Sequence, residues 1–268
     1  DLNHAPSEKL MRLYQAWANG GVGLIITGNV MVDRRAMTGP GGVVLEDEKH
    51  LDTFKKWAQI GRSKGAQMWL QINHPGRQMQ ANLGQQTWAP SAISLDLGKM
   101  SNRFNTPIEM TESMIAEVIQ RFANTARLGE KAGFTGVEIH AAHGYLLSQF
   151  LSPLSNKRQD QWGGSAENRM RFLLEIYKAV RAATSDQFII SVKLNSADFQ
   201  RGGISEEDVI ATFKAIDVAG IDLIEISGGS YEAPAMAGVK QEKRKASTIA
   251  REAYFLEFAE KIREQVQC

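Results

Sequence analysis

The chain has 268 residues, 43% hydrophobic and 23% charged, ordinary for a soluble globular protein and enough for one large core or two modest ones. Its 31 basic and 30 acidic residues leave a net charge of +1, so no global field favours nucleic acid or an anionic membrane. The single cysteine, Cys268, excludes an internal disulfide framework or a cysteine-held zinc or iron–sulfur site and suits a reducing cytoplasm.

Apolar stretches such as 22–26 are far too short to span a bilayer, and the first residues lack a basic-then-apolar secretory pattern. The expectation is a soluble, unexported, cytoplasmic protein.

Apolar and amphipathic runs alternate along the chain, the pattern of strand-then-helix units building a parallel sheet. A first helix is predicted after Ser7, with Leu10, Leu13, Tyr14 and Trp17 at helical spacing, then strands at 23–27 and 66–72. Thr111 precedes a helix carrying Ile115, Val118, Ile119 and Phe122, followed by a strand at 136–140. Ser165 opens a helix with Met170, Leu173, Ile176 and Tyr177, and a strand follows at 188–194. Ser205, backed by Glu206, Glu207 and Asp208 at the positive end of the dipole, opens a helix with Val209, Ile210, Phe213 and Ile216. A strand at 221–226 and a helix over 251–267 complete the series, and Gly133 and Gly220 can supply left-handed helix stops.

Five strands are countable, whereas a (β/α)8 barrel closes on eight. The expected fold is α/β, of the (β/α)8 TIM-barrel family, with about five of the eight units in one incomplete domain over 1–268. The remaining strands would lie at both ends rather than in the middle.

In such a barrel the residues at the C-terminal ends of strands share one active-site mouth. Asn29 follows the first predicted strand, Gln71 lies near the end of the second, His140 ends the third, Lys193 lies near the end of the fourth, and Ser227-Gly228-Gly229 follows the fifth. His140 and His143 straddle a strand-to-helix transition, so both imidazoles could donate hydrogen bonds to one carbonyl oxygen, with Tyr145 supplying a proton nearby. A core-satisfying or capping histidine beside a packed tyrosine is the alternative, and a zinc reading lacks a third ligand close in sequence.

Gln71 precedes the proline-fixed turn Asn73-His74-Pro75-Gly76-Arg77 and would suit a planar heterocycle with an amide-like edge. Gln71 and His74 could equally satisfy backbone groups at the barrel rim. Lys193 is an ammonium in an otherwise apolar strand, which calls for an anionic or electron-accepting partner or for a carboxylate on a neighbouring strand, Glu138 or Glu225.

The run His140-Ala141-Ala142-His143-Gly144-Tyr145-Leu146-Leu147-Ser148-Gln149-Phe150-Leu151-Ser152-Pro153 resembles the signature of the old yellow enzyme family. The segment from Ser155 through Trp162-Gly163-Gly164 to Glu167-Asn168-Arg169 is similar to the family's loop and following helix start. Gln71 to Arg77, Lys193 to Asp198 and Ser227-Gly228-Gly229 resemble family segments in the same order, so the likeness covers essentially the whole chain.

The resemblance implies noncovalent FMN, reduced by NADH or NADPH, with hydride passed to the β-carbon of a small activated alkene. By the same resemblance His140 and His143 would bind the carbonyl or nitro oxygen and Tyr145 would protonate the α-carbon. Gln71 would meet the flavin's pyrimidine edge, the backbone around Gly28 and Asn29 would approach the same ring, and Lys193 would face its N1/O2 side. Many members have arginine where this chain has Lys193, which replaces a bidentate fork by a point charge. Tyr231 is a candidate substrate contact.

The family's first strand, beneath the flavin, has no counterpart before Asp1, nor have the last two strands with their phosphate site. An open sheet exposes strand edges, so a homo-oligomer is one expected remedy. Two other readings stand beside flavin chemistry: a flavin-free homologue using the His-His-Tyr cluster for isomerisation or cyclisation, and a non-enzymatic assembly module.

Overall fold

The computed structural model describes residues 3–233 and 255–268. In chain order these hold α1 (Glu8–Asn19), β1 (Leu24–Met31), β2 (Val43–Val44), α2 (Leu51–Arg62), β3 (Gln67–Asn73), β4 (Trp88–Ala89) and β5 (Ile108–Glu109). There follow α3 (Glu112–Lys131), β6 (Gly136–Ala141), α4 (Leu146–Leu151), α5 (Ala166–Ala183), β7 (Ile189–Asn195), α6 (Glu206–Val218), β8 (Leu223–Ser227) and α7 (Leu256–Arg263). Of the helix expected over 251–267, residues 251–254 lie outside the described residues.

Four helices start on the hydroxyls that their spacing indicates. Ser7 accepts from Leu10 N–H, Thr111 from Met114, Ser165 from Asn168 and Ser205 from Asp208, each satisfying a backbone donor that has no partner inside the helix. Gly133 (φ 90°) and Gly220 (φ 97°) take the left-handed conformation just past α3 and α6. Among the described residues no helix is long and apolar enough to cross a membrane.

The six-stranded sheet runs β2-β1-β3-β6-β7-β8, and every pairing is parallel. The five long strands are the predicted ones with shifted limits. β1 continues to Met31, so Asn29 lies inside the strand rather than after it, and Gly28 lies within a register break between Ile26 and Asn29. There the Thr27 hydroxyl accepts the Gln71 N–H, covering a backbone donor at the irregularity. β8 starts at Leu223, two residues later than expected, because Ile221 N–H is still bonded to Ile216 O at the end of α6.

Parallel pairing carries one register across the sheet, so its two faces differ in chemistry. Leu70, Ile72, Val137, Ile139, Ile190 and Val192 are fully buried and belong to one core with Phe122, Phe172, Ile176 and Phe213 of α3, α5 and α6. The opposite face carries Asn29, Gln71 and Glu138 in one register row, then His140, Lys193 and Glu225 in the next, then Asn195 and Ser227.

Candidate active site

His140 leaves β6 on the polar face, 2% exposed, and its Nδ1 accepts the Ala142 N–H at 3.2 Å. That bond places the imidazole proton on Nε2. Burial, with help from His143 and Lys193, holds the ring's pKa well below its ordinary range, so the ring is neutral with its proton on Nε2.

His143 has φ 61°, the left-handed region that a branched or bulky side chain enters only when its surroundings hold it. The holding groups are visible: its N–H donates to Asn195 Oδ1 at 3.1 Å and its carbonyl accepts from Gln78 Nε2 at 3.1 Å. Its Nε2 lies 2.6 Å from Ser227 Oγ at the end of β8. Burial and then the Lys193 ammonium push it down to about 4. Gly144 (φ 75°) follows; a Cβ there would stand 2.8 Å from Gln78 Oε1 and 3.1 Å from Ser230 Cβ, so only glycine lets the turn pass.

The turn brings Tyr145 back onto His140, ring centroids 4.9 Å apart, while the two imidazoles lie 5.1 Å apart. Tyr145 Oη is 2.9 Å from Tyr231 Oη. Burial, reinforced by Tyr231, raises the phenol above its ordinary value, so it keeps its proton to donate. Tyr231 in turn lines a cavity of about 780 Å³ with Leu97, Met100, Arg103, Phe104 and Ser230.

Gln71 donates from Nε2 to Glu138 Oε1 at 2.6 Å. Lys193 pairs with Glu225, its register neighbour, at 2.5 Å; of the two carboxylates available in the sequence, Glu225 is the partner. Gly28 gives its N–H to the Tyr14 hydroxyl of α1, so that donor does not face the site. A Cβ on Gly28 would meet nothing within 4 Å, and Asn29 Oδ1 is buried without a hydrogen-bond partner. Among the described residues no group of three or more His, Cys, Asp or Glu side chains could hold a metal ion.

The scaffold depends on residues to which sequence reasoning assigned no role. Gln149 accepts from Arg77 N–H and donates to Pro75 O and Gly144 O, tying the turn after β3 to the turn after β6. Arg77, 8% exposed at the side chain, pairs with Glu232 at 2.5 Å and donates to Ser94 O. Gln78 sits in a 3-10 turn, where no periodic signal exists to find it.

A sequence model of the NADH:flavin oxidoreductase / NADH oxidase family matches residues 3–267. The NADH-dependent flavin oxidoreductase iliE of Neonectria sp. (strain DH2) is 38% identical over 284 residues, covering 98% of this chain and 37% of that protein. The solved structure of a 2-naphthoyl-CoA reductase complex is 32% identical with a TM-score of 0.85, covering 95% of this chain and 39% of that one. An old yellow enzyme homologue from Zymomonas mobilis, 23% identical over 97% of this chain and 78% of its own, shares the fold at a TM-score of 0.77. The chain spans between 37% and 67% of the length of the first curated relatives that it matches. Its architecture is that of the TIM-barrel flavin enzymes, and the chain belongs to the NADH:flavin oxidoreductase / NADH oxidase family.

Proposed function

We propose that this protein holds FMN noncovalently on the polar face of its sheet and reduces the C=C bond of small activated alkenes, α,β-unsaturated carbonyl or nitro compounds. The observation that carries the reading is the packing of His140, His143 and Tyr145 against one another beside an open cavity. The face fits a flat heterocycle with an amide-like edge: Asn29 Oδ1 lacks a partner, and Gln71 and Lys193 stand in the neighbouring rows. Gln71 would meet the pyrimidine edge, Lys193 its N1/O2 side, and the backbone at Gly28 and Asn29 the same ring. The chemistry that FMN supplies when bound is hydride transfer, from NADH or NADPH to the β-carbon of the alkene.

The chain's own residues do the rest. His140 and His143, both neutral, hydrogen-bond the carbonyl or nitro oxygen and stabilise the negative charge that gathers there. Tyr145 gives its Oη proton to the α-carbon, and Tyr231 Oη, 2.9 Å away, orients that hydroxyl and borders the substrate's entry. Burial of His140 and Tyr145 excludes water from the reacting atoms.

A Tyr145→Phe variant separates these roles. Bleaching of bound flavin by NADH or NADPH should proceed at the wild-type rate, while turnover of 2-cyclohexenone falls about 10²–10⁴-fold, the usual contribution of a positioned proton donor. Undiminished turnover would remove Tyr145 from the mechanism.

A further inference from the structure

One acid on the polar face has no task in the chemistry above. Glu138 lies mid-strand in β6 with 0% of its surface exposed, where an unpaired carboxylate is strongly disfavoured. Its Oε1 accepts from Gln71 Nε2 at 2.6 Å, and its Oε2 is buried with no N–H or O–H donating to it. The neighbouring acid is Glu225, whose charge is already matched by Lys193. One ammonium cannot balance both carboxylates, and Glu138, fully buried where the Glu225 side chain is 37% exposed, is the one that retains its proton. Burial, with Glu225 beside it, raises the Glu138 carboxyl far above the usual carboxylate range.

We propose that Glu138 is a positioning residue: as a neutral carboxyl it accepts from Gln71 through Oε1 and offers the proton on Oε2 to Glu225. One buried acid thereby fixes both the Gln71 amide and, through Glu225, the Lys193 ammonium. With one Nε2 hydrogen on Glu138 Oε1, the amide plane of Gln71 is fixed, leaving Oε1 and the second N–H to face a ligand edge. The inference rests on the FMN reading, because Gln71 and Lys193 are the two side chains assigned to the pyrimidine side.

The test is the dissociation constant of FMN, read by flavin fluorescence on protein stripped of flavin and titrated. Glu138→Gln keeps a carbonyl for Gln71 and an N–H for Glu225, and should bind FMN within about threefold of wild type. Glu138→Met, of similar length but apolar, should weaken binding at least about tenfold, the worth of one well-made buried hydrogen bond. In a Gln71→Ala background the same change should cost about threefold or less, because one of the groups it acts through is gone. The infrared spectrum at pH 7 should show a protonated-carboxyl stretch that Glu138→Gln removes.

Glu138→Gln weakening FMN as much as Glu138→Met would overturn the proposal, as would losses that simply multiply with Gln71→Ala. If Glu138→Met does not fold, the infrared comparison still decides: no carboxyl band lost in Glu138→Gln contradicts a neutral Glu138. Failure of wild-type protein to bind FMN refutes the flavin reading instead and leaves the infrared outcome standing.

Discussion

Burial holds the histidines in and beside the site in their neutral form, and that has consequences for pH. His74 is fully buried, accepts the Gly76 N–H on Nδ1, and is pushed down to about 4 by burial. As pH falls below about 6.5 the unfolded chain takes up this proton, while the folded chain does so only near 4. Across that window the unfolded state binds more protons, so folding stability falls as pH falls. His143, also pushed down to about 4 by burial, adds to the slope with the same sign. The denaturant midpoint should therefore drop between pH 6.5 and 4, and His74→Gln should drop less. An identical slope in the variant would show that His74 is not the group titrating.

The clustering of His140, His143 and Tyr145 was readable at this scale because two histidines and a tyrosine fell at a predicted strand end, where side chains share a mouth. The partner of Lys193 was not, since Glu138 and Glu225 both lie on adjacent strands and only the register separates them: Glu225 stands level with Lys193, Glu138 one row away. Gln78 and Gln149 were silent because their work is done on backbone carbonyls and amides of distant turns.

At the scale of elements, what could be read was what carries a local signal. Hydroxyl caps and helical spacing located α1, α3, α5 and α6. Helix α2 follows His50, whose side chain makes no cap bond, so nothing announced its start. β2, β4 and β5 are two residues each, too short for any alternation to show. β1 outran its predicted end because Gly28 reads as a strand stop, while the chain there bulges and continues.

The β6–β7 pair gives a sharp test of the packing. Gly136 opens β6, and a Cβ there would stand 2.7 Å from Ile189 O, 2.9 Å from Ile189 Cβ and 2.9 Å from Trp69 Cδ1. Backbone on one side and a mostly buried indole on the other leave no easy relief. Gly136→Ala should cost about 1–3 kcal/mol, the usual penalty of overpacking, seen as a lower denaturation midpoint. A neutral or stabilising result would mean that β6 and β7 can separate at that point.

For the whole molecule, alternating strands and helices were enough to predict a parallel sheet with helices packed against it, and the five long strands appear in that order. Composition could not show that one face of this sheet is a continuous polar field from Asn29 to Ser227. That property exists only once parallel registers align residues drawn from five strands. It is also the property on which the functional account depends, since it joins that polar surface to the His140, His143 and Tyr145 cluster.

The measurement that tests that account most directly is the visible absorption spectrum of the purified protein, followed anaerobically as NADH or NADPH and then 2-cyclohexenone are added. The account predicts a flavin spectrum that bleaches with the nicotinamide and returns with the alkene. A protein that turns over the alkene without any flavin band, or whose reduced flavin is not reoxidised by the alkene, would contradict it.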